Sequence, residues 1–315
     1  MPRRAVHGVL LLDKPLGLSS NDALQKAKRL FRAEKAGHTG TLDPLATGLL
    51  PLCFGAATKF SQVSLDADKR YVATLQLGAT TTTADAEGEV LQRRAVSVTD
   101  AQLAEACRRF VGDIDQVPPM HSALKHEGRA LYEYARQGVE IERAARRVTI
   151  HDIAILDRQD DRVTLDVTCT KGTYIRTLAQ DIGEALGCGA HLAALQRTGS
   201  GPLTLEGAVT LEQLAALTES ARDGLLMDAD ALLADAPIVR LDAEEAGRFL
   251  TGLRRRVRLA DAPQVRVYGP EPRAFLGSAR VTAGELISTR LLSPVEVQGL
   301  LDERAKQEIS ERTPA

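Results

Sequence analysis

The residues best suited to do chemistry lie in Gly37-His38-Thr39-Gly40-Thr41-Leu42-Asp43-Pro44-Leu45-Ala46-Thr47-Gly48, ahead of the apolar run Leu49-Leu50-Pro51-Leu52. Its three glycines admit positive φ and close approach of another backbone, and Pro44 pushes Asp43 out of the helical region. A rigid loop presenting one carboxylate is expected. No Lys or Arg lies between Lys35 and Lys59, so the cation that keeps Asp43 ionised must come from elsewhere in the fold. A lone Asp-Pro is an ordinary turn starter; the surrounding glycine and threonine pattern is what singles this one out. His38, five residues upstream, is the nearest ring.

Three further segments carry matching chemistry. Asp13-Lys14-Pro15-Leu16-Gly17-Leu18-Ser19-Ser20 is a strand-to-helix turn with Lys14 at its start. Lys69 to Gly78 alternates, with Tyr71, Ala73, Leu75 and Leu77 on one face of a half-buried strand. Lys171-Gly172-Thr173-Tyr174-Ile175-Arg176-Thr177-Leu178 opens a helix whose apolar stripe is Ile175, Leu178, Ala179, Ile182 and Leu186, closed by Gly187. Arg176 is about 100° around that helix from Ile175. A cation on a first helical turn opposes the macrodipole, which points to a partner for it.

The elements that must position these groups follow from periodicity. His7 to Lys14 is a buried strand, and Ser19-Ser20-Asn21 caps a helix with Ala23, Leu24, Ala27, Leu30 and Phe31 inward. Thr80 to Gly88 is a Thr-, Asp- and Gly-rich loop, and Asp100 to Val111 is a helix capped by Thr99. Val148–Leu156 and Val163–Cys169 form a hairpin over Gln159-Asp160-Asp161, and His191 to Thr198 is a strand or turn. Between them, 117–150 holds Lys125, Arg129, Arg136, Arg143, Arg146 and Arg147 against four glutamates, around a short helix with too narrow an apolar stripe for a deep core.

The Gly-Thr-Leu-Asp-Pro, Asp-Lys-Pro-x-Gly-x-Ser-Ser and Lys-Gly-Thr-Tyr-Ile-Arg segments together resemble the TruB family of tRNA pseudouridine synthases. The resemblance implies that Asp43 is the catalytic residue, that Arg176 pairs with it, and that Tyr71 stacks on the target uracil and serves proton transfer. It further implies that Tyr174 packs at the active site, that Leu195 walls the uracil pocket, that His38 fills the gap left by a flipped base, and that Lys14, Arg146 and Arg147 bind the RNA substrate. His121 stands where the family has Tyr, and Gln196 where it has Arg. The implied fold is α+β: a mixed-sheet catalytic domain over 1–236 with an RNA-binding insertion over about 120–150, then a small β-barrel, PUA-like module over 237–303 and a polar tail over 304–315.

Composition sets limits without naming a partner. The 315 residues suffice for a large core, 44% are hydrophobic and 26% charged, and the net charge of −2 gives no global sign of nucleic-acid binding. The cysteines Cys53, Cys107, Cys169 and Cys188 form no Cys-x-x-Cys pair, so they read as buried hydrophobes, not metal ligands. No apolar run is long enough to span a membrane, and a cytoplasmic location is expected. The function expected is isomerisation of uridine 55 in the T-loop of tRNA, with the T-arm stem-loop as partner. No metal or cofactor is expected, no obligate protein partner is implied, and a monomer is expected. A non-catalytic RNA chaperone is the main rival, and a glycosidase-like enzyme would need a second carboxylate near Asp43.

Overall fold

The computed structural model describes residues 2–270 and 274–302, so the tail expected over 304–315 lies outside the described residues. The chain begins with β1 (Gly8–Lys14), α1 (Ser20–Leu30), β2 (Ala36–His38), β3 (Ala46–Phe54) and α2 (Ser61–Asp66). After these come β4 (Lys69–Leu77), β5 (Ala79–Thr81), β6 (Val90–Arg93), α3 (Asp100–Arg109) and β7 (Gly112–Gln116). The insertion holds β8 (Lys125–His126), β9 (Arg129–Ala130) and α4 (Leu131–Ala135), and β10 (Arg146–Gln159), β11 (Arg162–Cys169), α5 (Ile175–Ala185), β12 (Ala190–Ser200) and β13 (Leu203–Thr204) lead back to the sheet.

Nine strands form one mixed sheet in the order β1-β3-β12-β4-β11-β10-β7, with β2 on β3 and β13 on β12. Within it, β3 and β12 run parallel and the other neighbours antiparallel. The continuous apolar run Leu49 to Phe54 follows from this position, since a strand covered on both faces has no solvent side to alternate with. One face of the β1–β3 pair sends Leu10, Leu12, Leu50 and Leu52 against Leu24, Ala27 and Phe31 of α1 and its C-cap. The other sends Val9, Leu11, Leu49 and Cys53 against Phe60. On the far half of the sheet, Leu75, Leu165 and Ile150 pack with Leu178 and Ile182 of α5.

Two expectations change in detail. Thr80 to Gly88 is not all loop: β5 pairs with β6, and the intervening turn folds back on the sheet through Ala86 N–H to Leu192 O at 2.9 Å. Within the stretch expected as an insertion over about 120–150, Arg146 and Arg147 already pair with Gln116 and Asp115 as the start of β10.

Two short helices, α6 (Leu211–Ala216) and α7 (Glu219–Asp223), precede the C-terminal unit. That unit comprises β14 (Ile238–Arg240), α8 (Ala243–Leu250), β15 (Arg255–Arg256), β16 (Ala262–Tyr268), β17 (Phe275–Thr282) and β18 (Glu285–Leu291). Its strands form a five-stranded sheet ordered β14-β16-β17-β18-β15 around Phe249, Val265, Val267 and Leu286. Tyr268 and Phe275 join Phe60 in the core behind β1 and β3, so the two units share apolar packing. Among the described residues no helix is long and apolar enough to cross a membrane.

Candidate active site

The Asp43 loop is pinned from both ends. Gly37 and His38 pair with Cys53 and Leu52 as β2, and Thr39 N–H donates to Pro51 O at 3.0 Å. Past the turn, Leu42 is buried; its N–H donates to Ser20 Oγ at 2.7 Å, and that hydroxyl donates to Leu42 O at 3.1 Å. Gly17 N–H donates to Pro44 O at 2.8 Å. The Asp13 to Ser20 segment is therefore a clamp on the Asp43 loop. Lys14 is part of that clamp. Its side chain is wholly buried, its ammonium donates to Pro15 O at 2.9 Å and Leu18 O at 2.6 Å, and burial pushes it down to about 8 against the pull of the Asp43 charge. Lys14, expected to contact the substrate, thus lies buried and braces its own turn beside Asp43.

Two of the three loop glycines take positive φ, Gly40 at 81° and Gly48 at 94°; Gly37 lies in β2 without one. Asp43 emerges between them with its side chain 43% exposed, while the Arg176 side chain that meets it is 6% exposed. Arg176 Nη2 stands 2.8 Å from Asp43 Oδ2, and the same nitrogen donates to His121 O at 2.7 Å. Nη1 donates to Thr83 O at 3.3 Å and lies 3.6 Å from Asp85 Oδ2. These acceptors offset the burial of a cation on the first turn of α5. His121 acts here through its carbonyl, which any residue supplies, so the departure from Tyr leaves this contact intact.

The Asp43 carboxyl lies above the usual carboxylate value. Burial raises it, the Asp85 charge raises it further, and Arg176 and Lys14 oppose them.

Two cavities meet at the Asp43–Arg176 pair. The first, about 360 Å³, is walled by Tyr71, Tyr174, Leu195 and Arg197. The second, about 460 Å³, is bounded by His38, Asn21 and Glu87 and by Tyr132 and Arg136 from the insertion. Leu195 is in register with Ala46 of β3 and Ala73 of β4, which sets it in the sheet floor beside the loop. Tyr174 is held by a reciprocal pair: its N–H donates to Gln116 Oε1 at 3.0 Å, and Gln116 Nε2 donates to its carbonyl at 3.2 Å. Burial raises the phenols of Tyr71 and Tyr174 above their ordinary value and lowers the His38 ring below its own.

Of the expected site residues, then, Asp43, Arg176, Tyr71, Tyr174 and Leu195 share one cavity, and His38 borders the adjoining one. Arg146 and Arg147 lie outside both; the charge of Arg146 reaches the Tyr174 phenol, and Arg147 leans on Asp113 at 3.4 Å. Asp85, Gln116 and Arg197 were not expected. The signal for Arg197 was its place two residues after Leu195 on one strand, which puts both on the same face.

The chain matches the model described as TruB family pseudouridylate synthase (N terminal domain) over residues 28–175. Two further models follow it: tRNA pseudouridylate synthase B C-terminal domain over 176–234, and Pseudouridine synthase II TruB, C-terminal, over 237–292. It is 61% identical over 304 residues to the tRNA pseudouridine synthase B of Cupriavidus metallidurans, covering 93% of this chain and 96% of that one. To the Ralstonia pickettii protein of the same name it is 67% identical over 274 residues, covering 85% and 86%. Among solved structures, a chain from the crystal structure of a Cbf5-Nop10-Gar1 complex superposes with a TM-score of 0.70 at 25% identity, covering 91% of this chain and 84% of that chain.

Proposed function

The chain belongs to the TruB family of pseudouridine synthases, and from that premise we propose that it converts uridine to pseudouridine at position 55 in the T-loop of tRNA, with Asp43 as its one catalytic carboxylate. The reaction breaks the bond from uracil N1 to ribose C1′, turns the base and joins C5 to C1′. Charge develops on base and sugar alike, so the site must hold the detached base and stabilise the transition state. One ionised carboxylate serves as nucleophile or electrostatic partner at C1′, or as base toward C2′.

The observation that carries this reading is the Asp43–Arg176 ion pair at the mouth of the cavity walled by Tyr71, Tyr174 and Leu195. The guanidinium opposes the effects that would neutralise Asp43, and the rings and the leucine supply a dry slot for a planar base. A stacked uridine must leave its helix to enter. His38, beside the adjoining cavity, supplies the ring that fills the vacated space, while the insertion and the C-terminal unit hold the RNA around it. The isomerisation has no net redox change or hydrolysis, so it balances without a cofactor. One copy of the chain carries every side chain named.

The test is pseudouridine mapping in unmodified tRNA treated with the purified protein, beside the same tRNA carrying cytidine at position 55 and beside Asp43→Asn. Pseudouridine at 55 in the first sample alone is expected. Its absence there, or its presence with Asp43→Asn, would overturn the reading; RNA binding without activity in either protein would favour a chaperone.

A further inference from the structure

Arg197 is 1% exposed and ranks among the largest fully buried side chains, yet among the described residues no carboxylate lies within ion-pair distance of it. A buried cation without a counter-charge is costly, and the same volume filled by an apolar side chain is often neutral or stabilising. The Arg197 guanidinium reaches instead into the loop that carries Asp43 and the strand that follows it. Nε donates to Leu49 O at 2.8 Å, and Nη2 donates to Gly40 O at 3.3 Å and Thr39 O at 3.5 Å. Across β12 and β4 the register partner of Arg197 is Tyr71, which lines the same cavity and whose phenol feels the charge of Arg197.

The backbone is shaped to this arrangement. Arg197 on β12 is in register with Gly48 on one side and Tyr71 on the other. A Cβ on Gly40 would stand 3.1 Å from Arg197 Nη1, and one on Gly48 would collide with the Arg197 carbonyl. Both glycines take positive φ. The two loop glycines that need their conformational freedom thus need it where the loop wraps Arg197.

We infer that Arg197 is a positioning residue for the isomerisation, seating the Tyr71 phenol and the Thr39–Gly40 turn of the Asp43 loop in one frame on either side of the bound uracil; this rests on the function proposed above. Neither group reaches its place alone. The phenol hangs from β4 and the turn from β2, and the guanidinium between them is what sets their separation. A lysine at 197 keeps the charge but lacks the planar fork that reaches three carbonyls together beside the Tyr71 ring.

Single-turnover rates and affinities on a T-arm stem-loop test this for Arg197→Lys, Arg197→Met, Tyr71→Phe and Arg197→Lys/Tyr71→Phe. Affinity for RNA should stay within about twofold while the single-turnover rate of Arg197→Lys falls about tenfold or more, the pattern of a lost transition-state interaction. The penalty should shrink sharply in the Tyr71→Phe background, because residues acting through one another are not additive. The second readout needs no activity. The chain has five tyrosines, so proteins carrying ¹³Cζ-tyrosine give few resonances, and Tyr71→Phe identifies the one for Tyr71. That resonance should shift in both Arg197 variants. If Arg197→Met does not fold, Gly40→Ala, whose Cβ presses on the guanidinium, should shift it likewise. Wild-type rates in a folded Arg197 variant, equal penalties with and without the Tyr71 hydroxyl, or an unmoved Tyr71 resonance would each overturn the inference. A wild-type protein that makes no pseudouridine would sink the proposed function, and the resonance would still report whether Arg197 holds Tyr71.

Discussion

Asp85 Oδ2 lies 3.6 Å from Arg176 Nη1, the terminal nitrogen beside the one that meets Asp43. Arg176 is therefore shared between one buried carboxylate and one open to the cavity. The buried partner fixes the guanidinium before any substrate arrives, and its charge adds to the burial that holds the carboxyl of Asp43 above the usual carboxylate range.

Replacing Asp85 by Asn should move the acid limb of the pH–rate profile to lower pH. Activity needs ionised Asp43, so it is lost as pH falls through the folded-state pKa of that residue. Removing a neighbouring negative charge lowers this pKa and extends activity toward acid. The maximal rate should fall as well, since Arg176 loses a tether. Single-turnover rates across pH on a T-arm stem-loop give both quantities, and an unmoved limb would mean that Asp85 does not act on Asp43.

Asp43→Asn should abolish isomerisation while leaving tRNA affinity within a few-fold, because one carboxylate carries the chemistry and many contacts carry binding. Tritium release from C5-labelled tRNA measures the first and filter binding the second.

Arg176→Ala should lose activity severely, and Arg176→Lys should recover only part of it. The guanidinium engages two carboxylates and two carbonyls at once, and an ammonium offers no planar fork to match them. A fully active Lys variant would show that charge alone suffices.

Arg146 and Arg147 are adjacent on β10 and so face opposite sides of it, and they should behave differently. Arg146 acts on Tyr174 at the cavity, whereas Arg147 pairs with Asp113. Arg146→Ala should lower the slope of log affinity against log salt by about 0.7–0.9, the loss of one phosphate contact, and Arg147→Ala should leave it unchanged. A salt series in filter binding separates them.

The strands and most helices were legible from periodicity, because local pattern dictates them, and the pairing of Asp43 with Arg176 from the motifs shared with the family. Groups whose role depends on distant packing were less so. Lys14 follows a strand and precedes a turn, and nothing local says that its ammonium folds back onto carbonyls one and four residues on. Asp85 sits among threonines and glycine in what reads as a solvated loop; it is buried because that loop folds back on β12 and meets Arg176 of α5, some ninety residues away. Arg197 reads as a polar break in an apolar strand, and its burial follows only once β3 and β4 are known to flank β12.

The parallel pairing of β3 with β12 bears on how catalytic competence arises. Thr47 Oγ1 donates to Leu195 O at 3.3 Å across 148 positions of chain, and the segments between them pass through most of the sheet first. Contacts of such long range carry a large loop-closure cost and tend to form together with the global fold. A nascent chain that has displayed Asp43 but has not yet emerged to residue 197 lacks the wall, the frame and, until residue 176, the guanidinium. The centre proposed for the chemistry is therefore complete only once β12 has closed on β3 and β4.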